Sequence, residues 1–165
     1  MAVTDNKILI IDNVFTQDEC CALIEYYTHK GPTHKWQNFL PMTIQQDDEF
    51  LRPQIKRIEN LAQSNFDKNI IIDWCEVVRW LVDAFQDLHF DTSNKNTILT
   101  SITYLNDQYE GGQTFIHEDI EIIPKIGRTV IFNGQFYKHG VKKVLSGSRY
   151  TLPIWYKMNE ETTIK

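Results

Sequence analysis

His89 and Asp91 are separated by a single residue in the segment LHFDTSN (88–94), a polar stretch that follows a long apolar run. In extended backbone, side chains alternate faces, so His89 and Asp91 point one way and Phe90 the other. An imidazole and a carboxylate on one face of a strand end suit a metal ion. They also suit a solvated strand end with no ligand, and a third donor from elsewhere in the chain is what separates these readings. His29, His34 and His117 read as solvated surface histidines. His139 differs, because FYKHGV places it within an apolar strand, after an Asn-Gly turn and before a glycine that allows close backbone packing.

Two histidines and one carboxylate with open positions form the donor set of non-haem Fe(II) oxygenases. A further charged residue sits downstream in SRYTLPIWY (148–156). Alternation there puts Arg149, Thr151, Pro153 and Trp155 on one face and Tyr150, Leu152, Ile154 and Tyr156 on the other. An arginine facing inward from a core strand is costly unless an anion neutralises it. A small dicarboxylate matches the planar guanidinium fork, and a salt bridge to one of the 22 acidic residues would serve as well.

These residues need a scaffold of strands, and the chain changes character near residue 70 to provide one. Upstream, KILIIDNVF reads as a strand. TQDECCALIEYYTHKG reads as a helix, with Thr16 and Glu19 as a capping box, Gly31 as its stop, and Cys20, Leu23, Ile24 and Tyr27 at helical spacing. A second helix fits RPQIKRIENLAQSNF, with Leu51, Ile55, Ile58 and Ala62 on one stripe and Pro53 in its first turn. The intervening GPTHKWQNFLPMTIQQ lacks a period and reads as an irregular excursion. From residue 70 onward come NIIIDWCEVVRWLV, TILTSITYLND, QTFIHE, IEIIP, GRTVIFNG, FYKHGVKKV and SRYTLPIWYK, separated by turn residues. Strands at this spacing predict a sandwich or barrel, with the helices covering one sheet.

The 165 residues suit one domain, divided into a helical support region (1–69) and a β core (70–157). Twenty-two acidic against 17 basic residues give a net charge of −5, without a basic patch, which disfavours nucleic acid. No apolar run approaches the length needed to span a membrane, and ILII at 8–11 is far shorter than a signal h-region. Cys20, Cys21 and Cys75 have no CxxC spacing and read as reduced thiols. A cytoplasmic location is the resulting expectation.

HFD (89–91), LTSITYLNDQYEGGQTF (99–115), PKIGRTVIFN (124–133) and HGVKKVLSGSRYTLPIWY (139–156) together resemble the Fe(II)- and 2-oxoglutarate-dependent dioxygenases of the prolyl 4-hydroxylase type. The resemblance covers about residues 70–157, and more loosely DNVFTQDECCALIEY near the start. It implies a double-stranded β-helix, a jelly roll, with His89, Asp91 and His139 as iron ligands. It implies that Arg149 binds the distal carboxylate of 2-oxoglutarate, aided by the Tyr104 hydroxyl. Thr151 could add a second hydroxyl on the same face or be a β-branched core residue. EGG at 110–112 reads as turn chemistry.

The implied activity is hydroxylation of an unactivated C–H bond, with succinate and carbon dioxide as co-products and ascorbate as an accessory reductant. A prolyl residue of a peptide or protein leads as substrate by family analogy; a free amino acid or other small molecule is the alternative. A hydrolase or isomerase using the triad with zinc, and a β-sandwich binding module, are further readings, and Arg149 argues against the zinc enzyme. Two features bear on the substrate. Trp80 stands where family members often carry a tyrosine, and the basic residue is arginine where collagen-type members usually have lysine. The excursion 31–46, with Trp36, Phe39 and Met42, and the segment 92–97 are candidates for the substrate rim.

Overall fold

The computed structural model of the chain describes residues 7–91 and 96–162. In chain order the elements are β1 (Leu9–Ile11), α1 (Gln17–Lys30), β2 (Phe39–Thr43), α2 (Arg52–Asn65), β3 (Ile70–Trp80), β4 (Gln86–His89), β5 (Leu99–Tyr104), β6 (Glu110–Gly111), β7 (Thr114–Ile116), β8 (Ile120–Ile122), β9 (Thr129–Phe132), β10 (His139–Val141), β11 (Val144–Ser146) and β12 (Arg149–Met158), followed by a short 3-10 turn at Glu160–Thr162. Strands β1-β9-β5-β12-β3-β2 form a six-stranded sheet, β4-β10-β7-β8 a four-stranded sheet, and β11-β6 a two-stranded ribbon. This is a double-stranded β-helix, a jelly roll, with the two helices on the outer face of the larger sheet.

The outer face is built by strand parity. Cys75 and Val77 of β3 and Leu152, Ile154 and Tyr156 of β12 join Leu23, Tyr27, Ile55, Ile58 and Ala62 of the helices in one buried cluster. The alternate residues of the same strands, Val78 and Trp80 with Arg149, Thr151, Pro153 and Trp155, line a cavity between the sheets. A bulge in the β12–β3 pairing between Trp155 and Tyr156 shifts the phase. It lets Ile70 and Ile72 join the helix-facing cluster alongside Cys75 and Val77.

The helix ends follow local chemistry. The Glu19 amide donates to Thr16 Oγ1 at 3.1 Å and the Thr16 amide to Glu19 Oε2 at 2.9 Å, closing the expected capping box. Gly31 adopts φ 78° and its N–H bonds the Tyr27 carbonyl. Glu19 also receives both terminal nitrogens of Arg57, each at 2.8 Å, which ties α1 to α2. The Arg57 bonds, with that from the Thr16 backbone, hold the Glu19 carboxyl at about 2, against an ordinary 4.5.

A lowered folded-state value means stability that is present above the unfolded value and lost as pH falls toward the folded one. Glu19→Ala is therefore expected to cost about 1 kcal/mol near neutral pH, after allowance for solvent screening of a partly exposed pair. The difference from wild type should shrink as pH drops from about 4.5 toward 2. Urea unfolding at pH 7 and pH 3 checks this, and a gap that stays constant with pH would remove the ion pair from the account.

Three elements differ from the sequence reading. The excursion after Gly31 contains β2, which pairs with β3 from Phe39↔Trp80 to Thr43↔Glu76. Its alternation is hidden because both faces are covered, Pro41 by the cavity and Met42 by the helix-facing core. The single strand expected over FYKHGVKKV is two, β10 and β11, in different sheets. The residues before His89 form β4, a strand of four residues with little apolar contrast. All three cysteines are free, Cys20 and Cys75 buried and Cys21 exposed. No helix among the described residues is long and apolar enough to cross a membrane.

Candidate active site

Pairing of β10 with β4 brings His139 directly opposite His89, with ring centroids 4.4 Å apart. Asp91 follows β4, and its amide donates to the Gly134 carbonyl at 2.9 Å. Its Oδ1 lies 3.3 Å from His139 Nε2 and 3.6 Å from His89 Nε2. One donor atom from each of the three residues falls within 4.8 Å of the others. The outward nitrogens are spoken for: His89 Nδ1 meets the Asp87 carbonyl at 2.8 Å and His139 Nδ1 the Tyr137 carbonyl at 3.1 Å. Each contact sets the tautomer that leaves Nε2 free as a metal donor.

The electrostatics keep Asp91 ionised. Burial would raise the Asp91 carboxyl, but hydrogen bonds from His139, His89 and Thr100 outweigh it and hold the group well below the usual carboxylate range. For His89, burial lowers the imidazole, and the contacts with Asp91 and the Asp87 carbonyl more than restore it. Thr100 Oγ1 donates to Asp91 Oδ2 at 2.5 Å, fixing the carboxylate plane. A Cβ at Gly134 would lie 2.5 Å from Asp91 Oδ2 and 2.6 Å from Thr100 Oγ1, so only glycine fits behind the carboxylate.

Arg149 opens β12 and pairs with Trp80 of β3. It is 1 % exposed and makes no ion pair with an acid among the described residues, so the salt bridge allowed by the sequence is absent there. Its guanidinium lies over Trp80 at 4.7 Å and Tyr104 at 5.5 Å, and its Nη2 donates to Thr114 Oγ1 at 3.0 Å. Its Nε, like the buried Tyr109 hydroxyl, has no hydrogen-bond partner among the described residues. With no acid beside it among the described residues, this guanidinium calls for an anion, which a bound dicarboxylate would supply.

The other expected residues take definite places. Trp80 lines the cavity and gives its single N–H to Thr151 Oγ1 at 3.3 Å, so Thr151 also faces inward. Tyr104 is fully buried, and its hydroxyl donates to Thr114 Oγ1 at 2.6 Å. The Thr114 oxygen thus accepts from both Tyr104 and Arg149, leaving its own proton to be donated elsewhere, and Thr114 lines the cavity. Thr114, Thr100 and Gly134 were not singled out from sequence, because threonine in a strand and glycine in a turn look like ordinary structural choices. His29 and His117 stay outside the site, whereas His34 comes within 3.6 Å of Glu76 at the cavity. Trp36 and Phe39 from the excursion line the cavity and Met42 packs in the core; residues 92–95 of the other expected rim segment lie outside the described residues.

The family model of the 2OG-Fe(II) oxygenase superfamily matches residues 75–157, just over half of the chain, and the chain belongs to that superfamily. It is an Fe(II)- and 2-oxoglutarate-dependent oxygenase, and the two histidines, the carboxylate and the unpaired buried arginine fit that metal and that co-substrate. No curated relative matches the sequence. Among solved structures, the viral collagen prolyl hydroxylase of Paramecium bursaria Chlorella virus-1, with 2-oxoglutarate, is similar at TM-score 0.78 and 18 % identity, over 94 % of this chain and 97 % of that one. A prolyl-4-hydroxylase of Pseudomonas putida gives 0.75 at 16 %, over 94 % and 95 %. A prolyl hydroxylase of Trichoplax adhaerens, in complex with a hypoxia inducible factor oxygen degradation domain peptide fragment, gives 0.74 at 20 %, over 99 % and 89 %. At these identities the likeness establishes the fold.

Proposed function

We propose that the protein hydroxylates a prolyl residue of a peptide or protein, converting 2-oxoglutarate and dioxygen to succinate and carbon dioxide. In this reading His89, Asp91 and His139 hold the iron, and Arg149 binds the distal carboxylate of the co-substrate. The observation that carries it is Arg149, a buried cation with no acid partner among the described residues, lining the cavity that also holds the triad. Fe(II) bound by the triad would supply the activation of dioxygen that couples oxidative decarboxylation of 2-oxoglutarate to hydroxylation of a C–H bond.

The chain's own residues orient and shield. Trp80 and Tyr104 stack on Arg149 and keep its fork in one plane, while Thr114 has a proton to offer the same carboxylate. Thr100 and the Gly134 turn hold Asp91 in place. Trp36 and Phe39, the latter packed against Trp80, give the cavity an aromatic wall against which a proline ring would pack with water excluded. The prolyl hydroxylases of like fold, one of them solved with a peptide, support a peptide substrate.

The test is anaerobic addition of Fe(II) and 2-oxoglutarate, which should give a weak visible charge-transfer band that disappears when oxygen is admitted. Proline-containing peptides should then stimulate succinate release and gain one oxygen atom. Stimulation by free amino acids, with none by any peptide, would replace the peptidyl reading with the small-molecule one.

A further inference from the structure

The cavity contains a second charged residue that neither iron nor co-substrate uses. Glu76 lies on the inner face of β3, is 8 % exposed, and is the one acid outside the triad among the described residues lining the cavity. Its Oε1 accepts the indole N–H of Trp74 at 2.9 Å, and its Oε2 takes no hydrogen bond among the described residues. His34 Nε2 stands 3.6 Å from Oε1, beyond direct hydrogen-bond distance, and His34 is half-exposed. Oε2 is thus open to the cavity, where a cation is the partner that complements a largely buried carboxylate.

Its surroundings are those of a cation site. Pro153 and Trp155 of β12 neighbour Glu76 of β3, and Trp36, which lines the same cavity, is 62 % exposed, with its ring open to a ligand. The Trp36↔Phe39 bridge, turned through Gln37 at φ 51°, holds this indole at the rim. Indole faces attract ammonium and guanidinium groups, the more so beside a carboxylate. Along β3, Glu76 is four residues from Trp80, the partner of Arg149. At the strand rise that places it ~13 Å from the Arg149 end. The cavity, about 590 Å³, is therefore cationic at one end and anionic at the other, with room for a dicarboxylate and a second group.

We propose that Glu76, with the indoles of Trp36 and Trp155, recognises a positively charged amine of the substrate. This rests on the oxygenase reading of the site and names the charge of the substrate that reading leaves open. Two sources share the chemistry, a lysyl side chain flanking the target residue in a peptide and the amine of a free amino acid.

The experiment is calorimetric binding to the Fe(II)- and 2-oxoglutarate-loaded protein without oxygen. One arm uses three peptides of equal length with a central proline flanked by Lys, Gln or Glu; the other compares free L-lysine with L-norleucine. The Lys peptide should bind about tenfold more tightly than the Gln peptide, as for one charge-assisted hydrogen bond, and the Glu peptide most weakly. Glu76→Gln, which keeps an acceptor for Trp74, should abolish the discrimination, and Glu76→Lys should reverse it. Discrimination between lysine and norleucine, with none among the peptides, assigns the site to a free amine and equally supports the proposal. Absence of charge preference in both arms, or a preference that survives in Glu76→Gln, would overturn it. The wild-type comparisons need no variant to fold. Once oxygen is admitted, charge-selective binding with no oxygen gained by any proline would remove the prolyl reading and leave Glu76 its role, whereas proline hydroxylation with no charge preference in either arm would do the reverse.

Discussion

Asp91→Ala is expected to lose its iron and all iron-dependent turnover while keeping the fold, and His89→Ala is expected to do the same. Loss of partners that only orient metal ligands commonly costs 10- to 100-fold, and removal of a ligand from a set of three should cost more than about 100-fold. The fold should survive because neither residue belongs to the helix-facing core, and Asp91 lies beyond the end of a four-residue strand. His139→Ala should lose iron as well, with some loss of stability, since its ring is buried against Phe132 at 4.8 Å. Asp91→Glu should not rescue the site, because Thr100 and the Gly134 backbone leave no space for another methylene. Gly134→Ala should reproduce part of the loss with every ligand in place. Iron stoichiometry by atomic emission, alongside circular dichroism, checks the series; wild-type iron content in both Asp91→Ala and His89→Ala would refute the ligand assignment.

Arg149 is expected to give the other large effect, on the co-substrate and not on the metal. A charge-assisted, two-pronged contact in a partly dry pocket is worth on the order of 2 to 4 kcal/mol when truncated, so Arg149→Ala should lose about two orders of magnitude in 2-oxoglutarate affinity. Arg149→Lys should raise the apparent KM less, because it keeps the charge but loses both the fork and the stacking on Trp80. Thr114→Val should cost about tenfold through loss of one hydroxyl donor. Iron binding should be unchanged in all three. A 2-oxo acid lacking the distal carboxylate should barely distinguish wild type from variants. Calorimetry showing wild-type 2-oxoglutarate affinity in Arg149→Ala would take the distal carboxylate away from this residue.

Where the sequence reading reached the site, it did so through strand parity and residue chemistry. Alternation in SRYTLPIWY assigns Arg149, Thr151, Pro153 and Trp155 to one face, and all four line the cavity. It fell short where a residue's importance depends on its neighbour. Thr114 became notable only when Tyr104 and Arg149 converged on its oxygen, and Glu76 only when the cavity closed over it. β2 was missed because both of its faces are covered, which erases the polar and apolar alternation that marks a half-exposed strand.

Local chemistry in the sequence determined the helix starts and stops, the two faces of each long strand, and a set of two histidines, one carboxylate and one arginine able to serve a metal and an anion. Tertiary structure alone decided which residues meet. Pairing of β4 with β10 joins His89 to His139 across the intervening chain and leaves the other three histidines outside the triad. Packing also brought no acid among the described residues to Arg149 and turned Glu76 into the cavity. The physical reason is that strand periodicity distinguishes two faces but carries no information about what will cover either one. That depends on which strands pair and where the helices settle, and both are set by burial summed over the whole chain.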